Sequence, residues 1–142
     1  MGANLQSSSA HRILVMGSNP DRSWIGECLQ QHGYQIYAVA GLAGVLKNAR
    51  AFRPAAAIVD LDEPTMGGDH LIRVLKHTYP ALPMIALSNT IDVVIAQIIE
   101  EFRIPLLVKP HTAASLLDAL ARLGVAEPQP LRDVSSTPIS PV

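Results

Sequence analysis

Three polar residues follow short apolar segments, and their side-chain types together could handle a phosphoryl group. Asp60 ends the segment AAAIVD, Ser88 ends PMIALS, and Lys109 follows IPLLV. A carboxylate can attack phosphorus as a nucleophile, a hydroxyl can donate a hydrogen bond to the resulting anion, and a lysine can pair with it. The three residues therefore indicate phosphoryl chemistry, provided that the fold brings them together.

The elements around these residues alternate between apolar and amphipathic segments, which is typical of a β/α chain with a parallel sheet. Strands are predicted at 12–17, 34–40, 55–60, 83–88 and 104–108, and helices at 20–32, 42–52, 68–79, from about 90, and at 112–123. Five such units between 12 and 124 predict an open, doubly wound α/β sheet with helices on both faces. In such sheets the site lies beyond the carboxyl ends of the strands.

Several local details follow from the same residues. Asn19 is predicted to cap the first helix with Pro20 at its first position, and Gly33 to end it in the left-handed conformation. Trp24 is predicted to lie in the core. Asn89 is predicted to cap the fourth helix, whose inward stripe is expected to comprise Ile91, Val94, Ile95, Ile98, Ile99 and Phe102.

Composition narrows the class of protein. The chain has 142 residues, 49% of them apolar, and a formal charge of -1, which disfavours direct nucleic-acid binding. The apolar segments are too short for a membrane span, and Cys28 has no second cysteine with which to pair, so a cytoplasmic protein is expected. We expect a disordered segment at 1–11, a domain at 12–124, and a tail or linker rich in proline and serine at 125–142, which could lead to an output domain.

At the strand ends the chain resembles the receiver domain of bacterial two-component response regulators. The segment VDLDEPTMGG carries the family's aspartate, proline and methionine at Asp60, Pro64 and Met66, and the later motifs fall on Ser88 and on the pair Lys109 and Pro110. The resemblance implies a flavodoxin-like strand order 2-1-3-4-5, with Asp60 as the phosphoacceptor and Ser88 and Lys109 as phosphoryl-binding residues. It also implies a rigid corner with a cis peptide bond at Pro110.

The chain departs from that family where a magnesium ion is usually held. Gly17 and Ser18 replace two acidic residues, so a Mg²⁺ site at Asp60 is expected to be weak or absent, and no other cofactor is expected. Changing both positions to Asp is expected to raise magnesium affinity if the pocket is otherwise intact. Asp62 and Glu63 are expected to be solvated loop charges, and Asp21 to favour a helix N-terminus. Leu106 replaces the aromatic residue that changes rotamer on activation in the family.

Three functional hypotheses remain open. In the first, the chain is a non-enzymatic receiver that takes a phosphoryl group on Asp60 from a histidine kinase, a phosphotransfer protein or a small donor. The fourth helix, fifth strand and fifth helix then carry the signal and offer a homodimer surface. In the second, it is a pseudo-receiver that binds partners or dimerises without phosphate. In the third, Asp60 and Asp62 form the D-x-D motif of a phosphatase similar to the haloacid dehalogenases.

Overall fold

The computed structural model describes residues 11–17, 21–40, 43–44, 52–62, 68–109, 112–125 and 128. Its strands are β1 (Arg12–Met16), β2 (Gln35–Val39), β3 (Ala56–Asp60), β4 (Met84–Ser88) and β5 (Leu106–Val108). Its helices are α1 (Asp21–Gln31), α2 (Gly68–Thr78), α3 (Val93–Phe102) and α4 (Ala113–Arg122). The last three helices correspond to the third, fourth and fifth predicted ones. Most of the second predicted helix, together with Asn19 and Pro20, lies outside the described residues.

The five strands form one parallel sheet in the order β2-β1-β3-β4-β5, which confirms the predicted doubly wound fold. β3 and β4 are buried along their whole length, as their unbroken apolar sequences predict. Asp60 pairs with Leu87, and Ser88 pairs with Val108. The register therefore brings the carboxyl ends of β3, β4 and β5 to the same edge of the sheet.

Successive strand residues pack on opposite faces, so the domain has two apolar layers. On one face, residues such as Leu14 and Val59 contact α2 and α3 through Leu71, Ile72, Leu75 and Ile98. On the other face, residues such as Val15 and Ile58 contact α1 and α4 through Ile25, Leu29, Leu116 and Leu120. The burial of both faces confirms the predicted helix layers.

Two predictions about apolar side chains were wrong. Trp24 is 42% exposed, because Ile25 and Leu29 fill the space between α1 and the sheet. Ile91 and Val94 are also exposed, whereas Ile95, Ile98, Ile99 and Phe102 contact the core as predicted. The apolar arc of α3 is therefore wider than the surface on which it packs. In the described part of the chain, no helix has the length and apolar character needed to cross a membrane.

The ends of the helices follow local backbone chemistry. Gly33 has a φ of +94°, which confirms the predicted left-handed end after α1. The N-cap of α3 is Asp92 and not Asn89, because the Asp92 carboxylate accepts a hydrogen bond from the Ile95 N–H at 2.9 Å. Asn89 instead donates its backbone N–H to Asp62.

We expect Asp92→Ala to lower the free energy of unfolding by about 1 kcal/mol, since it removes the acceptor at the first turn of α3. Urea unfolding followed by circular dichroism would measure the change. Asn89→Ala is the matched control, because alanine keeps the backbone N–H that this position donates. A larger loss for Asn89→Ala than for Asp92→Ala would restore Asn89 as the cap.

Candidate functional site

The candidate site lies at the carboxyl edge of the sheet, where three strands end beside one another. Asp60 is the last residue of β3, Ser88 is the last residue of β4, and Lys109 follows β5. The backbone N–H of Lys109 donates to the Ser88 carbonyl at 2.8 Å, which extends the strand pairing to the lysine. The sheet thus brings together the three residues that the sequence singled out.

Asp60 and Lys109 form a buried ion pair. Lys109 Nζ lies 3.0 Å from Asp60 Oδ1 and 2.9 Å from Oδ2, and the two side chains are only 11% and 5% exposed. Asp60 Oδ1 also accepts the backbone N–H of Asp62 at 2.9 Å. Both carboxylate oxygens therefore have charge-assisted partners in a site from which water is largely excluded.

The Ser88 hydroxyl is directed at its own loop and at Asp62. Its Oγ lies 2.7 Å from the Thr90 carbonyl and 3.2 Å from Asp62 Oδ1, and it accepts the Thr90 N–H at 3.3 Å. A hydroxyl carries a single proton, so the shorter contact with the Thr90 carbonyl is the stronger one. A new acceptor near Asp60 would have to compete for that proton.

Asp62 lies in the site, and the expectation that it is a solvated loop charge was wrong. Its Oδ2 accepts the Asn89 N–H at 2.8 Å and lies 3.2 Å from Lys109 Nζ, and its side chain is 26% exposed. The reason is local: three donors at the ends of β4 and β5 face the loop after β3, and a carboxylate there can satisfy them. The only signal in the sequence is the acidic residue two positions after Asp60. Glu63 lies outside the described residues.

Gly17 brings the end of β1 unusually close to Asp60. A Cβ placed on Gly17 would lie 2.8 Å from Asp60 Cβ and 3.3 Å from Oδ2. Only glycine permits this approach. The Gly17 carbonyl accepts a hydrogen bond from Arg22 Nη1 at 2.9 Å, so a guanidinium also contacts this strand end. Ser18 and Pro110 lie outside the described residues, and the predictions for them stay predictions.

The described residues do not fit a magnesium site. Mg²⁺ prefers near-octahedral oxygen ligands that include carboxylates. Asp60 and Asp62 both face the Lys109 ammonium, and within the described ranges no three histidine, cysteine or acidic side chains converge on a point. We therefore derive no step through a metal ion.

Leu106 is the first residue of β5 and is partly buried against the layer formed by α2 and α3. Because this residue is leucine, the position has no aromatic ring that could change rotamer. Val108, two residues later, is exposed.

Solved structures with this fold include the chemotaxis protein CheY4 of Vibrio cholerae, which is 24% identical, covers 79% of this chain and 97% of its own, and has a TM-score of 0.72. A response regulator receiver domain protein (CheY-like) from Methanospirillum hungatei is 18% identical, with 80% and 93% coverage and a TM-score of 0.72. The fold is thus that of a CheY-like receiver domain, as the strand ends suggested.

A family model described as "VpsR domain" matches residues 3–121. The chain belongs to the VpsR domain family. Among curated proteins, the sensor histidine kinase TmoS of Ectopseudomonas mendocina is 30% identical over 120 residues, which are 82% of this chain and 12% of that protein. The chain spans about a tenth of the length of the curated relatives it matches. Both curated relatives are sensor proteins, and this chain matches a small part of each.

The phosphatase hypothesis gains no support. Its D-x-D motif belongs on the first strand of its sheet, whereas Asp60 ends β3 in the centre of a receiver fold. Asp62, the acid and base of that hypothesis, contacts Lys109 and the Asn89 N–H.

Proposed function

We propose that this domain receives a phosphoryl group on Asp60 and that Lys109 and Ser88 hold the group there. The observation that supports this most strongly is the buried Lys109 ammonium within 3.0 Å of both Asp60 oxygens. An ammonium in that position lowers the charge that an incoming phosphate meets and pairs with the product. Ser88, the last residue of the neighbouring strand β4, places a hydroxyl at the same edge of the sheet.

In the proposed step one carboxylate oxygen of Asp60 attacks phosphorus, and the bond from phosphorus to the donor's leaving atom breaks with its electron pair. A phosphohistidine of a kinase or phosphotransfer protein, protonated on its second ring nitrogen, leaves as a neutral imidazole, and acetyl phosphate leaves as acetate. The product is an acyl phosphate on Asp60. We propose that bound magnesium contributes weakly, since the described carboxylates both face Lys109, and that the domain itself turns over no substrate.

A second function is favoured by an exposed apolar surface beside the site. Ile91, Val93 and Val94, at and just before the start of α3, are exposed, as is Val108 on β5, and an exposed run of apolar residues is typical of a protein contact. In this alternative the domain is a pseudo-receiver, and this surface with α4 forms a homodimer or binds a partner without phosphate. The paired, buried state of Asp60 is compatible with it.

Intact-mass measurement after incubation with acetyl phosphate and magnesium would separate the two functions. We expect wild type to gain one phosphoryl group and Asp60→Asn to gain none, because an amide oxygen is a poor nucleophile. Asp118→Asn is the matched control, since its exposed carboxylate pairs with Arg122 on α4, away from the strand ends.

Retention volume, recorded on the same samples and with beryllofluoride, reports association. No adduct on wild type at millimolar magnesium, together with a dimer that forms regardless of the phosphodonor, would reject the first function and support the second.

A further inference from the structure

Two hydrogen-bond donors just beyond β4 and β5 converge on the carboxylate of Asp62. They are the Asn89 backbone N–H at 2.8 Å and the Lys109 ammonium at 3.2 Å. The Ser88 hydroxyl lies 3.2 Å from the same carboxylate, although its proton is closer to the Thr90 carbonyl at 2.7 Å. The Asp62 backbone N–H in turn donates to Asp60 Oδ1, which holds residue 62 beside the end of β3. The chain therefore directs its own anion onto these donors.

A backbone N–H and an ammonium that face one position, with a hydroxyl beside them, can bind an oxyanion. Lys109 Nζ lies 2.9 Å from Asp60 Oδ2 and 3.2 Å from Asp62 Oδ2, so oxygens attached to Asp60 and the Asp62 carboxylate compete for the same region. The Asn89 N–H has one proton and cannot serve both fully.

We propose that the Asp62 carboxylate is a built-in stand-in for phosphoryl oxygens, and that it must leave the Asn89 and Lys109 donors before Asp60 can hold a phosphoryl group. This inference rests on the proposed function of Asp60. Asp62 acts as a gate on the site, and it also keeps the donors of β4 and β5 satisfied while no phosphate is present.

Charge and exposure both favour this role. A phosphoryl group on Asp60 would add negative charge beside Asp62 at a site where Lys109 already faces two carboxylates. Asp62 is the more exposed of the two acids, and it lies beyond the end of β3, so its side chain can turn to water while Asp60 stays in place. The donors that it releases then meet the phosphoryl oxygens.

The test compares the rate of adduct formation with acetyl phosphate, at one fixed magnesium concentration, for wild type, Asp62→Asn, Asp62→Ala and the control Asp118→Asn. We expect Asp62→Ala to react about tenfold faster than wild type, the effect of removing one charge-assisted competitor. Asp62→Asn should fall between them, because its amide oxygen still accepts from Asn89 but has no charge. Asp118→Asn should match wild type.

A second measurement follows the Asn89 amide by NMR in the full chain without any phosphodonor. The Asn89 resonance should shift and its hydrogen exchange should quicken in Asp62→Ala, and neither should change in Asp118→Asn. If wild type and Asp62→Ala acquire phosphate on Asp60 at equal rates, the gate is rejected and the proposed function stands. If no variant is phosphorylated, the proposed function fails. An Asn89 amide that is unchanged in Asp62→Ala would then reject the stand-in as well. A shifted Asn89 amide would support the conclusion that the Asp62 carboxylate occupies the donors.

Discussion

Lys109→Met is expected to lower the free energy of unfolding by about 3 kcal/mol. The substitution keeps the aliphatic length but removes the ammonium that lies within 3.0 Å of both Asp60 oxygens. Asp60 is only 5% exposed, so its carboxylate would stay buried with the Asp62 N–H as its remaining described donor. A buried charge that loses its partner carries its desolvation cost without the attraction that offset it.

Urea unfolding with linear extrapolation would measure this loss. Arg122→Met is the matched control, because it removes a cation from an ion pair whose side chains are 77% and 61% exposed, and exposed pairs contribute less than about 1 kcal/mol. The double variant Asp60→Asn with Lys109→Met should recover much of the stability, since the buried Asp60 charge is removed and the more exposed Asp62 carboxylate keeps the Asn89 N–H as a donor. Equal losses in Lys109→Met and Arg122→Met would mean that the ion pair is not buried.

Gly17→Asp is expected to destabilise the domain by about 3 kcal/mol, and Gly17→Ala by about 1 to 2 kcal/mol. A Cβ at this position would lie 2.8 Å from Asp60 Cβ, an atom held on the central strand and unable to rotate away. The neighbouring pair Met16 and Val59 fixes the distance between β1 and β3. The aspartate adds a negative charge beside the Asp60 carboxylate, which increases the cost.

Gly26→Ala is the control for glycine replacement. Its added Cβ would meet Ile36 Cγ2 at an ordinary 3.5 Å inside α1, so alanine should stabilise the helix by about 0.5 to 1 kcal/mol. Thermal and urea unfolding of the three variants would show opposite signs at the two positions. A Gly17→Ala protein as stable as wild type would show that β1 and β3 can separate at this end.

The same contact bears on the expectation that acids at positions 17 and 18 raise magnesium affinity in an intact pocket. Position 17 has no space for a side chain while Asp60 keeps its place, so an acid there would disturb the pocket. Position 18 lies outside the described residues, and the expectation for it stays a prediction. A magnesium titration of Gly17→Asp would therefore measure binding to a site in which β1 or Asp60 has moved.

Local residue patterns predicted most of the fold. All five strands, the stop at Gly33 and the inward residues Ile95, Ile98, Ile99 and Phe102 of α3 follow from apolar runs, periodicity and backbone preference. The ends of α3 were harder to predict, because more than one residue near each end could have formed the cap. Arg103 ends α3 with a φ of 54° although no glycine marks it, and Asp92 caps α3 in place of Asn89. Both depend on which carbonyls and N–H groups the loop leaves unpaired.

By itself the sequence determined that Asp60, Ser88 and Lys109 stand at strand ends, because a buried parallel strand must be apolar and its polar residues can only come where it stops. Only the tertiary structure decided how they pair. Asp60 pairs with Lys109, the Asp62 carboxylate accepts the Asn89 N–H and also faces Lys109, and Gly17 leaves no space for a side chain beside Asp60. The physical reason is that partners are chosen by distance and by the number of protons available, and residues dozens of positions apart along the chain acquire those distances only when the sheet assembles.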